Sequence, residues 1–289
     1  MKTIVTHLAP DVDAVSSVWL LKRFLSGWGE ADVKFVPAGK TLNGETVDSD
    51  SEILHVDTGM GMMDHHQSDE DTCAAKRVLE YISQQAQSSN VKVQNGRRRF
   101  PDEALIRMVD VINDIDHFRE AYYPNPAADF YNFGLVSTLD GLNILYGYEP
   151  HKILDFALVA LDGIYKQFQN KVWAEEEIKK KGIYFETKLG KGVALETIND
   201  EAIRTAQLQG TTIALRKDPK KKFVRIKALP ESGVDLELTY LKLKKLDPEA
   251  TWFLHASHKM VLNGSMKNPE SRPSKLEVNE LIDVIKKNI

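Results

Sequence analysis

Short apolar runs and longer stretches of helical period alternate along the first half of the chain. Residues 2–6 form a brief apolar run, predicted as a buried strand, and a polar loop follows over residues 7–13. From residue 14 to residue 25 the apolar side chains Val15, Val18, Trp19, Leu21 and Leu25 fall at helical spacing. Residues 33–36 and 53–56 read as two further short strands, and residues 72–87 as a second helix with Thr72 as its cap. Residues 88–100 are polar and predict a loop, and Pro101 suits the first turn of a helix over residues 101–115. Strands that alternate with helices in this way predict a parallel sheet joined by right-handed crossovers.

From residue 137 to residue 181 the period is helical throughout, with a break near residues 147–150. This pattern suits a helical hairpin between two domains. Past Gly182 the texture changes: residues 193–198, 211–215, 223–228 and 252–256 read as strands, and residues 236–246 and 276–287 as helices. The predicted fold is α/β, with a parallel-sheet N-terminal domain over residues 1–136, a helical connector over 137–185 and a smaller α/β domain over 186–289. No internal repeat interrupts this reading.

A hydrophobic fraction of 42% and a charged fraction of 28% in 289 residues are those of a soluble globular protein. No apolar run approaches the roughly 20 residues that span a bilayer, which argues against a membrane partner. The start of the chain lacks the apolar stretch and cleavage site of a secretory signal. The single cysteine, Cys73, excludes an intrachain disulfide, so a reducing, cytoplasmic location is expected. Net charge is −4, but it is unevenly spread. Residues 1–185 carry 19 basic and 28 acidic side chains, whereas residues 186–289 carry 19 basic and 14 acidic. An acidic part suited to cations thus precedes a basic part suited to an anion.

Three segments concentrate the chemistry. His7, Asp11 and Asp13 follow the first strand, Asp57 follows the strand over residues 53–56, and Asp64-His65-His66-Gln67 comes shortly after. In an open parallel sheet, ligands gather at the carboxyl ends of strands. Carboxylate with imidazole suits divalent Mn, Co, Fe or Zn, and this many charges suits two cations about 3.5–4 Å apart. Each residue alone has a plainer reading. His7 would be a hydrogen-bonded structural residue, Asp11 a helix cap, and Asp64-His65-His66 a polar turn. The grouping weighs against them: seven of the eight histidines lie in or beside the segments of interest, His151 being the exception.

These segments resemble the DHH phosphoesterase superfamily, which includes family II pyrophosphatases, RecJ-type exonucleases and cyclic-dinucleotide phosphodiesterases. His7, Asp11 and Asp13 with Ala14 match its first motif, Asp57 its second, and Asp64-His65-His66 its third. The Asp-His-His-Gln wording is also similar to the melanocyte-proliferating-gene-type exonucleases. A fourth motif falls in Asn113-Asp114-Ile115-Asp116-His117, where Asp116 fits better and Asp114 stays open. The resemblance implies a DHH-type catalytic domain with two divalent cations, Mn²⁺ first, with Mg²⁺ or Co²⁺ as alternatives. His7, Asp11 and Asp57 would hold one; Asp13, Asp57, His65 and Asp116 the other. Asp64 and His66 would serve catalysis, with His66 off the metals and on the phosphate or leaving oxygen. Water activated between the cations leaves no nucleophilic role for Ser16, Ser17 or Cys73.

In the C-terminal part, His255, Ser257, Asn263, Gly264, Ser265, Lys267 and Arg272 resemble the substrate-binding end of the related exonucleases, with Lys275 a further cationic candidate. Gly264 is the one glycine of that loop, where many family members are Gly-rich. The implied activity is hydrolysis of phosphodiester or phosphoanhydride bonds, with a phosphate-containing small molecule or short nucleic acid as partner and a homodimer as an open assembly state. Oligonucleotide, dinucleotide and pyrophosphate-like substrates all fit. Two other classes stand beside this one. One is a non-catalytic nucleotide or nucleic-acid binder that keeps the fold. The other is a basic nucleic-acid module using Arg97, Arg98 and Arg99 or Lys220, Lys221 and Lys222, which lack clustered aromatics for stacking.

Overall fold

A computed structural model of the protein describes residues 1–88, 100–147, 149–265, 268 and 270–289. The body of the loop predicted over residues 88–100, with Arg97, Arg98 and Arg99, lies outside the described residues, as does Lys267. The chain divides into two compact units, Met1–Gln169 and Asn170–Ile289.

In the first unit β1 (Thr3–His7) leads into α1 (Val12–Phe24), and β2 (Asp32–Val36) and β3 (Ile53–His55) follow. The three strands pair in parallel in the order β2-β1-β3, with Ile4 opposite both Val33 and Leu54. Helix α1 is buried continuously from Val12 to Leu21 because α2 (Ala74–Ser88), α3 (Glu103–Asp116) and α4 (Leu135–Tyr146) all pack against it. Ala14, Ser16 and Ser17 are small enough to admit those neighbours, and all three are fully buried. Helix α5 (Pro150–Lys181) closes the core through Ile153, Ala157 and Leu161, and its Asp162 accepts a hydrogen bond from the Trp19 indole at 3.1 Å.

Helix starts differ from the sequence reading where the cap comes from elsewhere. Helix α1 begins two residues before the predicted 14, because Asp11 accepts from the Ala14 amide at 3.0 Å. Helix α2 begins at Ala74, and Thr72 does not cap it. The buried Asp13 carboxylate accepts from the Ala74 and Ala75 amides at 2.7 and 2.8 Å. Pro101 precedes α3 instead of entering its first turn, and Asp102 is the cap, accepting from Leu105 N.

In the second unit β4 (Ile183–Thr187), β5 (Gly190–Glu196), α6 (Glu201–Leu208), β6 (Ile213–Lys217) and β7 (Val224–Ala228) come first. They are followed by α7 (Glu237–Leu246), β8 (Trp252–Leu254), β9 (Met260–Asn263) and α8 (Val278–Asn288). The mixed sheet has the order β4-β5-β6-β7-β9-β8, with β5 and β6 parallel and the remaining neighbours antiparallel. Leu215, Ile226 and Val261 pack with Leu281 and Ile285 of α8 in its core. Strands β4 and β9 and helix α6 were not separated from their surroundings by sequence pattern. Among the described residues no helix is long and apolar enough to cross a membrane.

Candidate metal centre

Two neighbouring strands end at the same place. His7 closes β1, and Asp57 stands two residues beyond β3, after Val56, whose amide donates to the Val5 carbonyl at 2.9 Å. Asp57 has a φ of 53°, left-handed backbone that costs a non-glycine residue about 1–2 kcal/mol. Its amide is held by the Met63 carbonyl at 3.1 Å, closing a loop that returns the chain to its start. Asp64-His65-His66 therefore comes back beside Asp57. The Asp64 carboxylate is buried. It accepts from Met60 N at 2.7 Å, from His66 N at 3.2 Å and from His66 Nδ1 at 2.7 Å, so it positions His66.

The ligand-type atoms fall into overlapping groups. His7, Asp11 and Asp57 form one, with His7 Nε2 at 3.1 Å from Asp57 and 3.9 Å from Asp11. His7 Nδ1 donates to the Leu8 carbonyl at 2.8 Å, which turns Nε2 toward the carboxylates, the usual second hydrogen bond of a metal-ligating histidine. Asp13, His65 and Asp116 form another, with His65 Nε2 at 3.7 Å from each carboxylate. His65 also stands 3.5 Å from Asp57, and Asp57, His65 and His66 form a third group. Asp57 thus belongs to both sides of the cluster. Asp114, the alternative to Asp116, turns away to Arg119 at 3.0 Å, while Arg119 also holds Asp71 at 2.7 Å.

Asp11 and Asp13 each serve two ends. One Asp11 oxygen caps α1 and the other faces His7. Both Asp13 oxygens receive amides of α2, and Oδ2 also faces His65.

Electrostatics follow from four carboxylates meeting two imidazoles. His7 is held at about 9. Burial opposes its charge, but its hydrogen bonds to Asp57 and Leu8 and the charges of Asp57 and Asp11 prevail. His65 also rises to about 9, first through its contact with Asp57, against burial, with Asp116 and Asp13 adding their charge. Asp57 falls to about 2: burial would raise it, and His65, His7 and His66 together outweigh that. Asp13 is pushed well up by burial and then by Asp57, and burial likewise raises Asp11 and Asp116.

The donor set fits divalent cations on an independent observation. Asp57 Oδ1 and His65 Nε2 are enclosed and face each other at 3.5 Å without forming a well-made hydrogen bond, and neither has another hydrogen-bond partner among the described residues. Buried polar atoms left this way are costly unless something binds them. Oxygen with imidazole nitrogen is the donor chemistry of Mn, Fe, Co or Zn.

Two further histidines of this unit bond the backbone. His55 is buried on β3 and accepts from the Leu42 amide at 3.1 Å, and His117 Nδ1 bonds the Asn113 carbonyl at 2.9 Å. Sequence gave no sign that Asp71 and Asn113, bonded at 2.8 Å, brace the Asp116 turn together with Arg119.

In the second unit the substrate candidates scatter. His255 and Ser257 are exposed and bond each other at 2.8 Å in the turn between β8 and β9. Arg272 is exposed and pairs with Glu249 at 3.2 Å. Ser265 and Asn268 form an isolated bridge after β9. Asn263 lies on β9, fully buried, and its amide donates to the carbonyls of Thr251 and Arg272 at 3.1 and 2.9 Å, which braces the chain there. Gly264 has φ of 77°, and a Cβ there would stand 2.3 Å from the Phe223 ring, so packing requires the glycine.

No family model matches the chain, and no curated protein matches it. Among solved structures, an uncharacterized protein from Helicobacter pylori G27 is similar over 100% of this chain and 98% of its own, at 12% identity and a TM-score of 0.26. RecJ from Thermus thermophilus, in complex with Mg²⁺, is similar over 99% of this chain at 11% identity and a TM-score of 0.29. The chain spans 49% of the RecJ chain's length. At such TM-scores neither similarity bears on activity, and the functional reading rests on the site itself.

Proposed function

We propose that the chain is a metal-dependent phosphoesterase of the DHH type, hydrolysing phosphodiester or phosphoanhydride bonds of nucleotides or oligonucleotides. The observation that carries this reading is the convergence of two ligand groups, His7–Asp11–Asp57 and Asp13–His65–Asp116, around the one carboxylate of Asp57. His7, Asp11 and Asp57 would hold one divalent cation, and Asp13, Asp57, His65 and Asp116 a second. Such a pair, when bound, neutralises phosphoryl charge and makes water more acidic.

The chain's own groups divide the remaining work. The strained Asp57 backbone and the two strand ends hold the ligands in place before any cation arrives. Asp64 fixes the His66 ring through Nδ1, leaving Nε2 to hydrogen-bond the phosphate or the leaving oxygen. His66 is 55% exposed, unlike His65, so it can reach a substrate. Ser16 and Ser17 are fully buried, and burial pushes the Cys73 thiol far up, so none of them offers a nucleophile. Arg272, His255, Ser257 and Ser265 are assigned to an anionic substrate, as is Lys267.

A panel of phosphomonoesters, phosphodiesters, pyrophosphate and short oligonucleotides, assayed with Mn²⁺, Co²⁺, Mg²⁺ and after chelation, tests the reading. Turnover of a phosphoester that requires added metal is expected. Binding without turnover under every metal would replace it with the non-catalytic alternative.

A further inference from the structure

The first unit contains an apolar pocket of about 390 Å³, within the range of small-ligand sites. Met108, Ile112, Leu161 and Phe168 supply apolar wall from α3 and α5. Tyr123 and Tyr131 line it as well, their ring centroids 6.1 Å apart and tilted by 43°. Glu120 lines the same pocket, and its Oε2 is enclosed with no hydrogen-bond partner among the described residues. The pocket adjoins the metal centre along the chain: Val12, which lines it, stands between Asp11 and Asp13, and Ile115 directly precedes Asp116.

Each feature narrows the occupant. Apolar walls with two aromatic rings favour a flat ring that stacks without sequence-specific contacts of its own. An enclosed carboxylate oxygen requires an N–H or O–H donor from whatever enters. A purely hydrocarbon ligand would leave that oxygen unmet. Among nucleobases, guanine presents adjacent N–H donors on one edge, whereas uracil flanks its single N–H with two carbonyls whose lone pairs would oppose Glu120. Carboxylate side chains read amino groups of bases by this hydrogen-bond logic.

We propose that this pocket is the base subsite of the active centre and that it selects a guanine nucleotide through Glu120. The proposal rests on the phosphoesterase reading and adds to it the identity of the preferred base.

Calorimetric binding of guanosine monophosphate, uridine monophosphate and ribose 5-phosphate to the full chain tests it, in Mn²⁺ and again in chelator. All three ligands share the phosphate, so differences report the base. Guanosine monophosphate is expected to bind at least about tenfold tighter than the other two. Glu120→Gln should abolish the preference over uridine monophosphate. Val111→Phe, at a partly exposed wall position, should bring guanosine monophosphate down to the affinity of ribose 5-phosphate, and it covers the case in which the first variant does not fold. Equal affinities in the wild type, or a guanine preference that survives both variants in folded form, overturn the subsite. Turnover of bis(p-nitrophenyl) phosphate by the wild type, which needs no base, separates the two claims. Turnover with no base preference sinks the subsite alone, and base preference without any phosphoesterase turnover sinks the activity alone.

Discussion

His65 and His66 lie with ring centroids 4.3 Å apart and planes tilted by 43°, yet only His65 turns its Nε2 among Asp13, Asp57 and Asp116. His66 spends Nδ1 on Asp64 and keeps the rest of its ring near solvent. His66→Ala is therefore expected to leave metal content unchanged and slow turnover on the order of 10²-fold, as loss of a transition-state donor does. His65→Ala should lose bound metal, and elemental analysis beside a rate assay distinguishes the two. The residue scale also sets a pH dependence. His7 and His65 are raised from 6.5 to about 9, so in chelator-treated protein their contribution to stability is full below pH 6.5 and is lost as pH rises through 9. The raised Asp11, Asp13 and Asp116 act in the same direction. The melting temperature of that protein should fall between pH 6.5 and 9, while Mn²⁺ affinity rises over the same window as the competing protons leave. A melting temperature that climbs across this range would contradict the assignment. Motif residues were legible because they are charged or imidazole side chains in a few short segments: His7 and Asp57 at or just past strand ends, and Asp11 and Asp13 at the start of α1. Asn-Gly-Ser has the composition of a surface turn, and nothing local shows that the Asn263 amide ties two backbone carbonyls in the interior.

Helix α2 shows what element boundaries hide from sequence. Thr72 has the chemistry of a cap, but the acceptor for Ala74 and Ala75 comes from Asp13, more than sixty positions earlier. One carboxylate thereby joins the N-termini of α1 and α2 and is 1% exposed. Asp13→Ala should destabilise chelator-treated protein by about 1–3 kcal/mol, because it strands buried amides, and a thermal melt followed by circular dichroism reads this directly. An unchanged melt would mean that Asp13 contributes nothing to the helix start. The long periodic helices and the strands around buried aliphatic runs were visible in advance, since burial on one or all faces imposes a period. Strand β9, Met260–Asn263, is too short to show alternation and follows a polar turn, so its pattern does not stand out in the sequence. Strand β4 merged with the helical pattern that precedes it.

At the scale of the whole molecule the chain is two units with different sheets, a parallel one with His7 and Asp57 at or just past two neighbouring strand ends and a mixed one of six strands. The charge division of the sequence follows this partition only loosely, because α5 runs through the boundary at Gln169. A parallel sheet predicts where chemistry collects from topology alone. The apolar pocket of the first unit, by contrast, leaves no pattern in sequence, since its walls come from residues dispersed between Val12 and Phe168. Asp57 sits in left-handed backbone between two ligand groups, with one oxygen on His7 and the other near His65. Mn²⁺ bound per chain, measured after reconstitution of the chelated protein and again for Asp57→Asn, tests its shared role most directly. Two ions in the wild type, with both sites weakened together in the variant, is the predicted result; a wild-type ratio near one, or a variant that keeps the full complement, would contradict it.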